Sequence, residues 1–329
     1  MKTISIVTAC YNEEENVLPL IQAVENVMSR YRSEFAFEHI FIDNCSEDRT
    51  VELLRNAVAE HPQVRVICNS RNFGHIRSPF HGLIQAHGDA VVSLVADFQD
   101  PPEMIHKFIA KWREGFKMVL AVKKTSRENP LMFHIRARYY RLVKRISEVE
   151  LIENFTGFGL FDKVVMDELR KIRDPYPYFR GLLCEVGFSK AFVEYDQPTR
   201  VRGITKNNFY TLYDMAMLGI TTNSKVPLRL ATIAGFFLSA ISLVVALVYL
   251  ILKLAFWSAF PMGTAPILIA LFFFSSVQLL FIGILGEYIA MVNTRVAGRP
   301  LVVEKERINF PADAADGDKP VEQTAPPPV

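Results

Sequence analysis

The stretch VSLVADFQDPPEM, residues 92–104, begins as a hydrophobic strand and ends in a group of polar side chains. Asp97 and Gln99 offer a carboxylate and an amide oxygen on one short turn of chain, a donor set that suits Mg²⁺ or Mn²⁺. Asp100 stands before two prolines and a glutamate, a pattern typical of a helix N-cap. We therefore predict that Asp97 and Gln99 bind a metal or substrate and that Asp100 mainly begins the next helix.

The same order of a hydrophobic strand followed by an amphipathic helix repeats through the first third of the chain. Repeated β-α units predict an α/β fold, with a mainly parallel sheet that helices cover on both faces. Ligands of such sheets bind beyond the carboxyl ends of the strands. Four polar clusters fall at those predicted ends, namely YNEE (11–14), DNCSED (43–48), NSRNFGH (69–75) and DFQD (97–100). Their common placement indicates one continuous site.

Further candidate ligands lie at other strand ends and in basic segments. Asp43 is an unusual residue to close a hydrophobic strand unless it binds a ligand such as a nucleobase N–H, whereas Ser46 or Asp48 is suited to cap the following helix. The segment RVRGITK (200–206) can contact phosphates, with a solvated loop or a patch facing anionic lipid as the alternative, and its place near the apolar runs suits both phosphate and lipid contacts. A second basic set follows the fifth predicted strand and comprises Lys123, Lys124, Arg127, Arg136 and Arg138.

Two long apolar runs change the character of the chain after residue 225. They lie at about 230–252 and 266–288, and each is long enough to cross about 30 Å of hydrocarbon. Buried helices of a soluble protein are the alternative, but such helices rarely stay apolar on every face. Lysines and arginines precede the first run and follow the second, which places both chain ends in the cytoplasm. We expect a multi-pass protein of the inner (plasma) membrane.

Four further segments lie outside the apolar runs. The stretch at about 133–149 carries basic, aromatic and aliphatic residues at helical spacing, which is typical of an interfacial helix, with an ordinary surface helix as the alternative. The stretch at about 207–220 carries aromatic and aliphatic residues and is interpreted in the same way. Residues 293–310 are expected to form a cytoplasmic segment. The Pro- and Ala-rich tail, 311–329, is predicted to be disordered.

The cellular compartment follows from the chain start, the cysteines and the charge. Met1 leads directly into a strand, so we expect no export signal and a cytoplasmic first domain over residues 1–225. Four scattered cysteines suit a reducing compartment. The net charge of +2 gives no indication of a nucleic-acid partner, and we expect none.

Seven motifs occur in an order that resembles the membrane-anchored family 2 glycosyltransferases, namely YNEEEN, DNCSEDRT, SRNFGH, ADFQDPPE, RGITK, VPLRLA and ILGEY. Members of that family attach sugars to polyprenyl phosphates such as dolichyl or undecaprenyl phosphate. The resemblance covers nearly all of the chain except the tail. It implies a GT-A nucleotide-sugar-binding domain at 1–225, a two-helix transmembrane hairpin within 226–292, and inverting transfer of a sugar from a nucleoside diphosphate.

The resemblance also implies roles for individual residues. Contacts to the donor nucleotide sugar are expected at the strand ends, from Ala9, Tyr11, Glu13, Asp43, Ala96, Asp97 and Lys123. Mg²⁺ or Mn²⁺ is expected on Asp97 and Gln99. Phosphate-binding side chains are expected at Lys123, Arg200, Lys206 and one of Arg136 and Arg138, and catalysis is expected to depend on Asp97, Gln99, Arg200 and Lys206. Bacterial relatives favour UDP over GDP, and tetramers within the family suggest a homo-oligomer.

Four positions depart from the family pattern. Val95 stands where the first acid of a D-x-D motif is usual, Ala9 replaces a proline, and Asn44 replaces a second aspartate. Gly157 replaces the acid of a DFRL segment, which weakens any assignment of a general base there. A base is dispensable, because a phosphate monoester with a second pKa of about 6 is mostly dianionic at neutral pH. The glycines of NFTGFGLF (154–161) are then available to shape a sugar pocket.

Two other functions fit the same sequence. A processive polysaccharide synthase shares this domain, but such enzymes carry more spans and a Q-x-x-R-W motif, which this sequence lacks. A non-catalytic membrane module that binds nucleotide sugars is favoured by Val95 and Gly157, whereas the basic residues argue against it. We expect sugar transfer as the principal function, with a nucleotide-sugar donor, a polyprenyl phosphate acceptor and membrane lipid as partners.

Overall fold

The computed structural model describes residues 1–124, 152, 154–198, 224–255 and 264–311. Short hydrophobic runs rich in β-branched and aromatic residues form its strands, and amphipathic segments form the helices between them. The elements of the first part are β1 (Lys2–Cys10), α1 (Val17–Ser29), β2 (Phe35–Asp43), α2 (Thr50–Glu60), β3 (Val64–Asn69), α3 (Gly74–Gln85), β4 (Ala90–Val95), α4 (Met104–Arg113) and β5 (Met118–Lys123). The later elements are β6 (Phe155–Asp162), α5 (Lys163–Lys171), α6 (Phe179–Val186), β7 (Lys190–Tyr195), α7 (Val226–Ala255), α8 (Thr264–Val296) and β8 (Glu304–Ile308).

The described strands form one sheet in the order β7-β5-β6-β4-β1-β2-β3-β8. β1 pairs in parallel with β2 and with β4, and β2 pairs in parallel with β3. β6 runs antiparallel between β4 and β5, so β5 and its parallel neighbour β7 point the same way as β1. β8 pairs antiparallel with β3 at the edge. This mainly parallel sheet, with helices between its strands, confirms the predicted α/β fold of the GT-A type.

Two hydrophobic cores lie on opposite faces of the sheet, because successive side chains of a strand point to opposite sides. In β1, Ile4 and Ile6 pack in one core without exposed surface, and Val7 packs in the other. Strands that are hydrophobic on both faces are expected where helices cover a parallel sheet on both sides. Burial of each such side chain contributes about 1.5–3 kcal/mol, so the cores fix the strand register on which the site depends.

The helices α7 and α8 belong to a second compact unit. Within α8, Phe273–Val296 is a stretch of 24 residues that is long and apolar enough to cross a membrane. Within α7, the apolar stretch Val226–Ser242 is shorter. The Tyr288 hydroxyl donates to the Ser224 carbonyl oxygen at 2.7 Å. This bond links the C-terminal half of α8 to the residues just before α7. Two membrane crossings stay a prediction, with one candidate span among the described residues.

The segment after α8 completes the sheet. β8 pairs with β3 through Val66 opposite Ile308 and Ile67 opposite Arg307. Glu304 of β8 accepts a hydrogen bond from His81 of α3 at 2.6 Å, and Arg307 also donates to it. Burial alone would raise the pKa of the Glu304 carboxyl, but the bonds from His81 and Arg307 outweigh it and lower that pKa to about 2. A charged, hydrogen-bonded glutamate therefore fastens the strand to α3.

Three of the predicted segments lie outside the described residues. They are the interfacial helices at about 133–149 and 207–220 and all but the first residue of the tail 311–329. The two phosphate-binding candidates Arg136 and Arg138 lie in the first of them. These assignments stay predictions from the sequence.

Candidate active site

Three of the predicted ligand loops begin next to one another, at the carboxyl ends of β1, β2 and β4. Ala9 of β1 is level with Ile42 of β2 on one side and with Val95 of β4 on the other. The next residue of β1, Cys10, is level with Asp43. The chain continues from β1 to β2 and β3 on one side and then adds β4 on the other side of β1, and such a switch point leaves a crevice beyond the strand ends. The loops that start at residues 11, 43 and 97 therefore surround a common space.

Asp43 lies at the end of β2 with only 1% of its surface exposed. The Ser46 backbone N–H donates to its Oδ2 at 3.0 Å, and the Ser46 hydroxyl donates to its Oδ1. Burial raises the pKa of the Asp43 carboxyl, although the Ser46 hydrogen bonds oppose that rise. Ser46 was one of two candidates for capping α2, but here its side chain orients Asp43. The other candidate, Asp48, accepts the Thr50 N–H at 3.0 Å at the start of that helix.

The loop after β1 is fastened to the loop after β2. Asn12, with φ of 56°, accepts the Glu47 N–H at 2.8 Å on its side-chain oxygen and donates its own N–H to Ser46. The Glu13 N–H donates to the Thr50 hydroxyl at 2.8 Å. Because a left-handed conformation is uncommon except at Asn, Asp and Gly, Asn12 suits this turn. The predicted donor contacts Tyr11 and Glu13 thus sit on a loop that is fixed relative to Asp43.

Asn44 explains one departure from the family pattern. Its side-chain nitrogen donates to Asn72 Oδ1 at 2.9 Å and to the Gly74 carbonyl oxygen at 3.3 Å. Its side-chain oxygen accepts the Phe73 N–H at 2.9 Å and the Asn69 amide at 3.1 Å. Both ends of the amide are therefore in use, and an aspartate at this position has no N–H to donate. Asn44 joins the loop after β2 to the loop after β3.

Asp97 occupies a tight turn directly after β4. Ala96 and Asp97 are buried, with 3% and 6% of their surface exposed, whereas Val95 is 39% exposed. Phe98 has a φ of 58°, an outlier for a bulky residue, and such backbone conformations are concentrated at functional sites. The Gln99 N–H donates to Asp97 Oδ1 at 3.1 Å. The structure therefore places Asp97 and Gln99 in one turn, and their role as metal ligands stays a prediction.

Asp100 does not cap the following helix, and this prediction was wrong. Helix α4 begins at Met104 after Glu103, which makes no side-chain cap hydrogen bond. The carbonyl oxygens of Pro101 and Pro102 instead accept the first N–H groups of the turn, each at 3.0 Å. Because the backbone makes this turn by itself, the Asp100 side chain is available for another contact. It is 4% exposed and accepts a hydrogen bond from the Tyr195 hydroxyl at 3.0 Å.

Tyr195, the last residue of β7, is a site residue that the sequence argument missed. Burial raises the pKa of Asp100 to about 7, with a further contribution from the charge of Asp97 and an opposing one from Tyr195. Burial also raises the pKa of the Tyr195 hydroxyl. The signal available in the sequence was AFVEYDQP (191–198), a strand-like run that ends in polar residues like the other strand ends.

Lys123 lies with this group of carboxylates. It is the last residue of β5 and is level with Tyr195 in the neighbouring strand. Its positive charge lowers the pKa of Asp100, so the ammonium group lies near that carboxyl. The predicted phosphate ligands Arg136, Arg138, Arg200 and Lys206 lie outside the described residues.

The residues around Asp97 fit a divalent cation that shares its ligands with a substrate. Among the described residues, no group of three or more His, Cys, Asp or Glu side chains is placed to hold a metal by itself. Asp97 and Asp100 are nevertheless two buried carboxylates close enough for one charge to act on the other, with the Gln99 amide on the same turn. Mg²⁺ commonly takes one or two carboxylates from the protein and its other ligands from phosphates and water.

Strand β6 contains two glycines, and one of them, Gly159, is needed for close packing between strands. Gly157 has a φ of 106°, which favours glycine, and lies near a register shift between β5 and β6. A side chain added at Gly159 would place its Cβ 2.3 Å from the carbonyl oxygen of Val119 in β5. The close approach that we expected for a sugar is thus, at Gly159, an approach between strands. At the end of the strand, Asp162 caps α5 by accepting the Val164 N–H at 3.1 Å.

Comparison with known proteins identifies relatives over most of the chain. The model of the family described as Glycosyl transferase family 2 matches residues 5–170. The uncharacterized glycosyltransferase YkcC of Bacillus subtilis is 35% identical over 301 residues, 91% of this chain and 92% of that protein. The SfII prophage-derived bactoprenol glucosyl transferase of Shigella flexneri is 33% identical over 304 residues, 92% and 97% of the two chains. Among solved structures, mannosyl-3-phosphoglycerate synthase from Rubrobacter xylanophilus aligns over 66% of this chain and 71% of its own, at 16% identity and a TM-score of 0.45.

Proposed function

The chain belongs to glycosyl transferase family 2, and from that premise we propose that it transfers a sugar from a UDP-linked donor to a polyprenyl phosphate such as undecaprenyl phosphate. Relatives named bactoprenol glucosyl transferase, matched over 92% of this chain, support the lipid acceptor. The apolar stretch Phe273–Val296 supports a membrane location. The reaction takes place at the cytoplasmic face, as the excess of lysine and arginine flanking the apolar runs suggests.

The observation that carries this proposal is a pair of buried carboxylates two strands apart, one of which shares its turn with the Gln99 amide. Asp43 ends β2, and Asp97 follows β4, with β1 between those strands. Two strand spacings separate them by about 10 Å. A nucleoside diphosphate has a base that donates N–H groups and, at a comparable distance, a diphosphate that requires cations. We propose that Asp43 accepts from the base and that the turn of Asp97 and Gln99 faces the diphosphate.

The chemistry that these residues supply is positional and electrostatic. An oxygen of the acceptor phosphate attacks the anomeric carbon as the bond from that carbon to UDP breaks, so the configuration inverts. The acceptor is mostly dianionic at neutral pH and needs no general base. A divalent cation bound by Asp97 and Gln99 would neutralise the charge that develops on the departing diphosphate. Lys123 adds a positive charge beside the same turn, and we propose phosphate contacts from Arg200, Lys206 and one of Arg136 and Arg138.

The proposed function is tested on the full-length chain in purified membranes. The membranes are incubated with undecaprenyl phosphate and a panel of labelled UDP and GDP sugars, with Mg²⁺, with Mn²⁺ or with a chelator, and mass spectrometry identifies the lipid product. We expect one UDP sugar to give a lipid-linked monosaccharide only when a divalent cation is present. A polymer would support a processive synthase instead, and donor binding without any product would support the non-catalytic module.

A variant pair connects that activity to the candidate site. Asp97→Ala removes the proposed metal ligand and is expected to abolish the product. Asp167→Ala removes an exposed carboxylate that pairs with Arg170 on α5 and is expected to leave product formation unchanged. Equal activity of the Asp97→Ala variant and the wild type would exclude the assignment of the site.

A further inference from the structure

The contact between Asp100 and Tyr195 joins two distant parts of the chain inside the candidate site. The two residues are separated by 95 positions, and their side chains meet at 3.0 Å. Both are buried, with 4% and 5% of their surface exposed. Asp100 ends the turn that contains Asp97 and Gln99, whereas Tyr195 ends β7. Residues that follow Tyr195 in the chain include Arg200 and Lys206, the proposed phosphate ligands.

Tyr195 is held from several directions. Its ring meets Phe158 edge-on, with the centroids 5.5 Å apart, and its hydroxyl takes part in a hydrogen bond with Thr156. Its carbonyl oxygen accepts the Lys124 N–H at 3.1 Å. The hydroxyl therefore has a fixed position, and a hydrogen bond to it fixes the Asp100 carboxylate in turn.

Stability of the fold does not account for a carboxylate at position 100. The side chain makes no cap to α4, and it is buried at the end of the turn that holds the second carboxylate, Asp97. Burial of a carboxylate beside another one is unfavourable, and an amide or an apolar side chain avoids that penalty. Carboxylates are kept in such places where a cation or a substrate compensates them.

We propose that Asp100 and Tyr195 are positioning residues for the donor diphosphate and its cation. The Tyr195 hydroxyl holds Asp100, and Asp100 holds the end of the turn in which Asp97 and Gln99 present their oxygens. The inference rests on the proposed function, because it assumes that this turn faces a diphosphate. It assigns the pair to the diphosphate end of the donor and not to the nucleobase end, which Asp43 serves.

The test compares two ligands that differ only in the diphosphate. Calorimetry measures the binding of UDP with Mn²⁺, and separately of uridine, to the full chain in detergent. Tyr195→Phe removes the hydroxyl and keeps the ring that packs on Phe158. We expect this variant to bind UDP with Mn²⁺ about ten-fold more weakly, because the Asp100 carboxylate loses the hydrogen bond that fixes its position. Uridine binding is expected to be unchanged.

Tyr31→Phe is the matched control, because it removes another hydroxyl that is hydrogen-bonded to a side chain, His106, at 3.0 Å. This variant is expected to bind both ligands like the wild type. If circular dichroism shows that Tyr195→Phe does not fold, Asp100→Ala, which removes the acceptor of the Tyr195 hydroxyl, takes its place, with the same expected difference between UDP and uridine.

The outcomes distinguish the positioning role of Tyr195 from the proposed function. If UDP binds the wild type with Mn²⁺ and binds Tyr195→Phe equally well, or if UDP and uridine weaken together, the positioning role is excluded while the proposed function stands. If the wild type itself shows no binding of UDP that depends on Mn²⁺, the proposed function is overturned and the positioning role with it.

Discussion

The side-chain nitrogen of Asn44 lies 2.9 Å from the side-chain oxygen of Asn72, so the residue after Asp43 ties two neighbouring strand-end loops together. The amide of Asn44 donates on one side and accepts on the other, and the loop after β3 takes its shape from both kinds of bond. The side chain at position 44 therefore sets the arrangement of the loops that follow β2 and β3.

Asn44→Asp is expected to lower the free energy of unfolding by about 1–3 kcal/mol, because Asn44 is buried and an aspartate there sets a carboxylate oxygen against the oxygens of Asn72 and Gly74. Asn26→Asp, on the exposed surface of α1, is the control and is expected to cause little change. Thermal unfolding of both variants in the same detergent checks the prediction. Equal melting temperatures of the two variants would contradict it.

Lys123→Met is expected to reduce kcat by about 10–100-fold, since it removes a positive charge that acts on the pocket of Asp97 and Asp100. Its neighbour Lys124 provides the control, because that side chain is 53% exposed and pairs with Glu194 at 3.8 Å. Lys124→Met is expected to retain wild-type turnover in the lipid-product assay. A similar loss in both variants would mean that general surface charge, and not position 123, is responsible.

His39 is expected to make the fold sensitive to mild acid. Burial lowers the pKa of this histidine to about 3, from an ordinary value near 6.5, and among the described residues its Nδ1 has no hydrogen-bond partner. Between these two values the unfolded chain binds the proton and the folded chain does not, so stability falls as the pH falls below about 6.5.

The expected size of this effect is about 2 kcal/mol between pH 7 and pH 5. His39→Gln removes the titration, and the difference between its urea unfolding and that of the wild type is expected to vary with pH over this range. A difference that stays constant from pH 7 to pH 5 would show that His39 does not titrate as its burial implies.

Glu304→Gln is expected to loosen β8 from the sheet at neutral pH. The pKa of Glu304 is lowered to about 2, so its stabilising contribution is complete above the ordinary value of about 4.5 and is lost as the pH falls toward 2. Hydrogen exchange is expected to become faster in β8 and in the paired β3. Glu306→Gln is the control, because Glu306 is more exposed and pairs only with Arg55 among the contacts described for it. Equal exchange rates in the two variants would refute the role of Glu304.

The strand ends were predictable because the sequence changes from hydrophobic to polar within a few residues at each of them. Hydrophobic runs such as ISIVTA and AVVSLV cannot remain exposed, and polar residues cannot continue them. Asp43 and Asp97 therefore stood out at the boundaries, and the sheet indeed brings those boundaries to one edge. Local pattern was sufficient there, because parallel strands align their carboxyl ends.

The contact of Asp100 with Tyr195 was not predictable, because it joins strands that are distant in the sequence and depends on β6 running antiparallel between β4 and β5. Local pattern also pointed the wrong way, since Asp-Pro-Pro is typical of a helix start. The segment EKERI gave no strand signal either, because charged residues occupy most of β8 and its pairing comes from the neighbouring β3.

The position of β8 in the chain has a consequence for biosynthesis. His81 and its partner Glu304 are separated by 223 positions, and both long apolar helices are translated between them. While the ribosome makes those helices, β3 is an open sheet edge, which is the kind of surface that aggregates or recruits chaperones. The nascent catalytic sheet is therefore completed only after the apolar helices have emerged. Chains that stop before residue 304 would leave that edge open and become substrates for quality-control proteases.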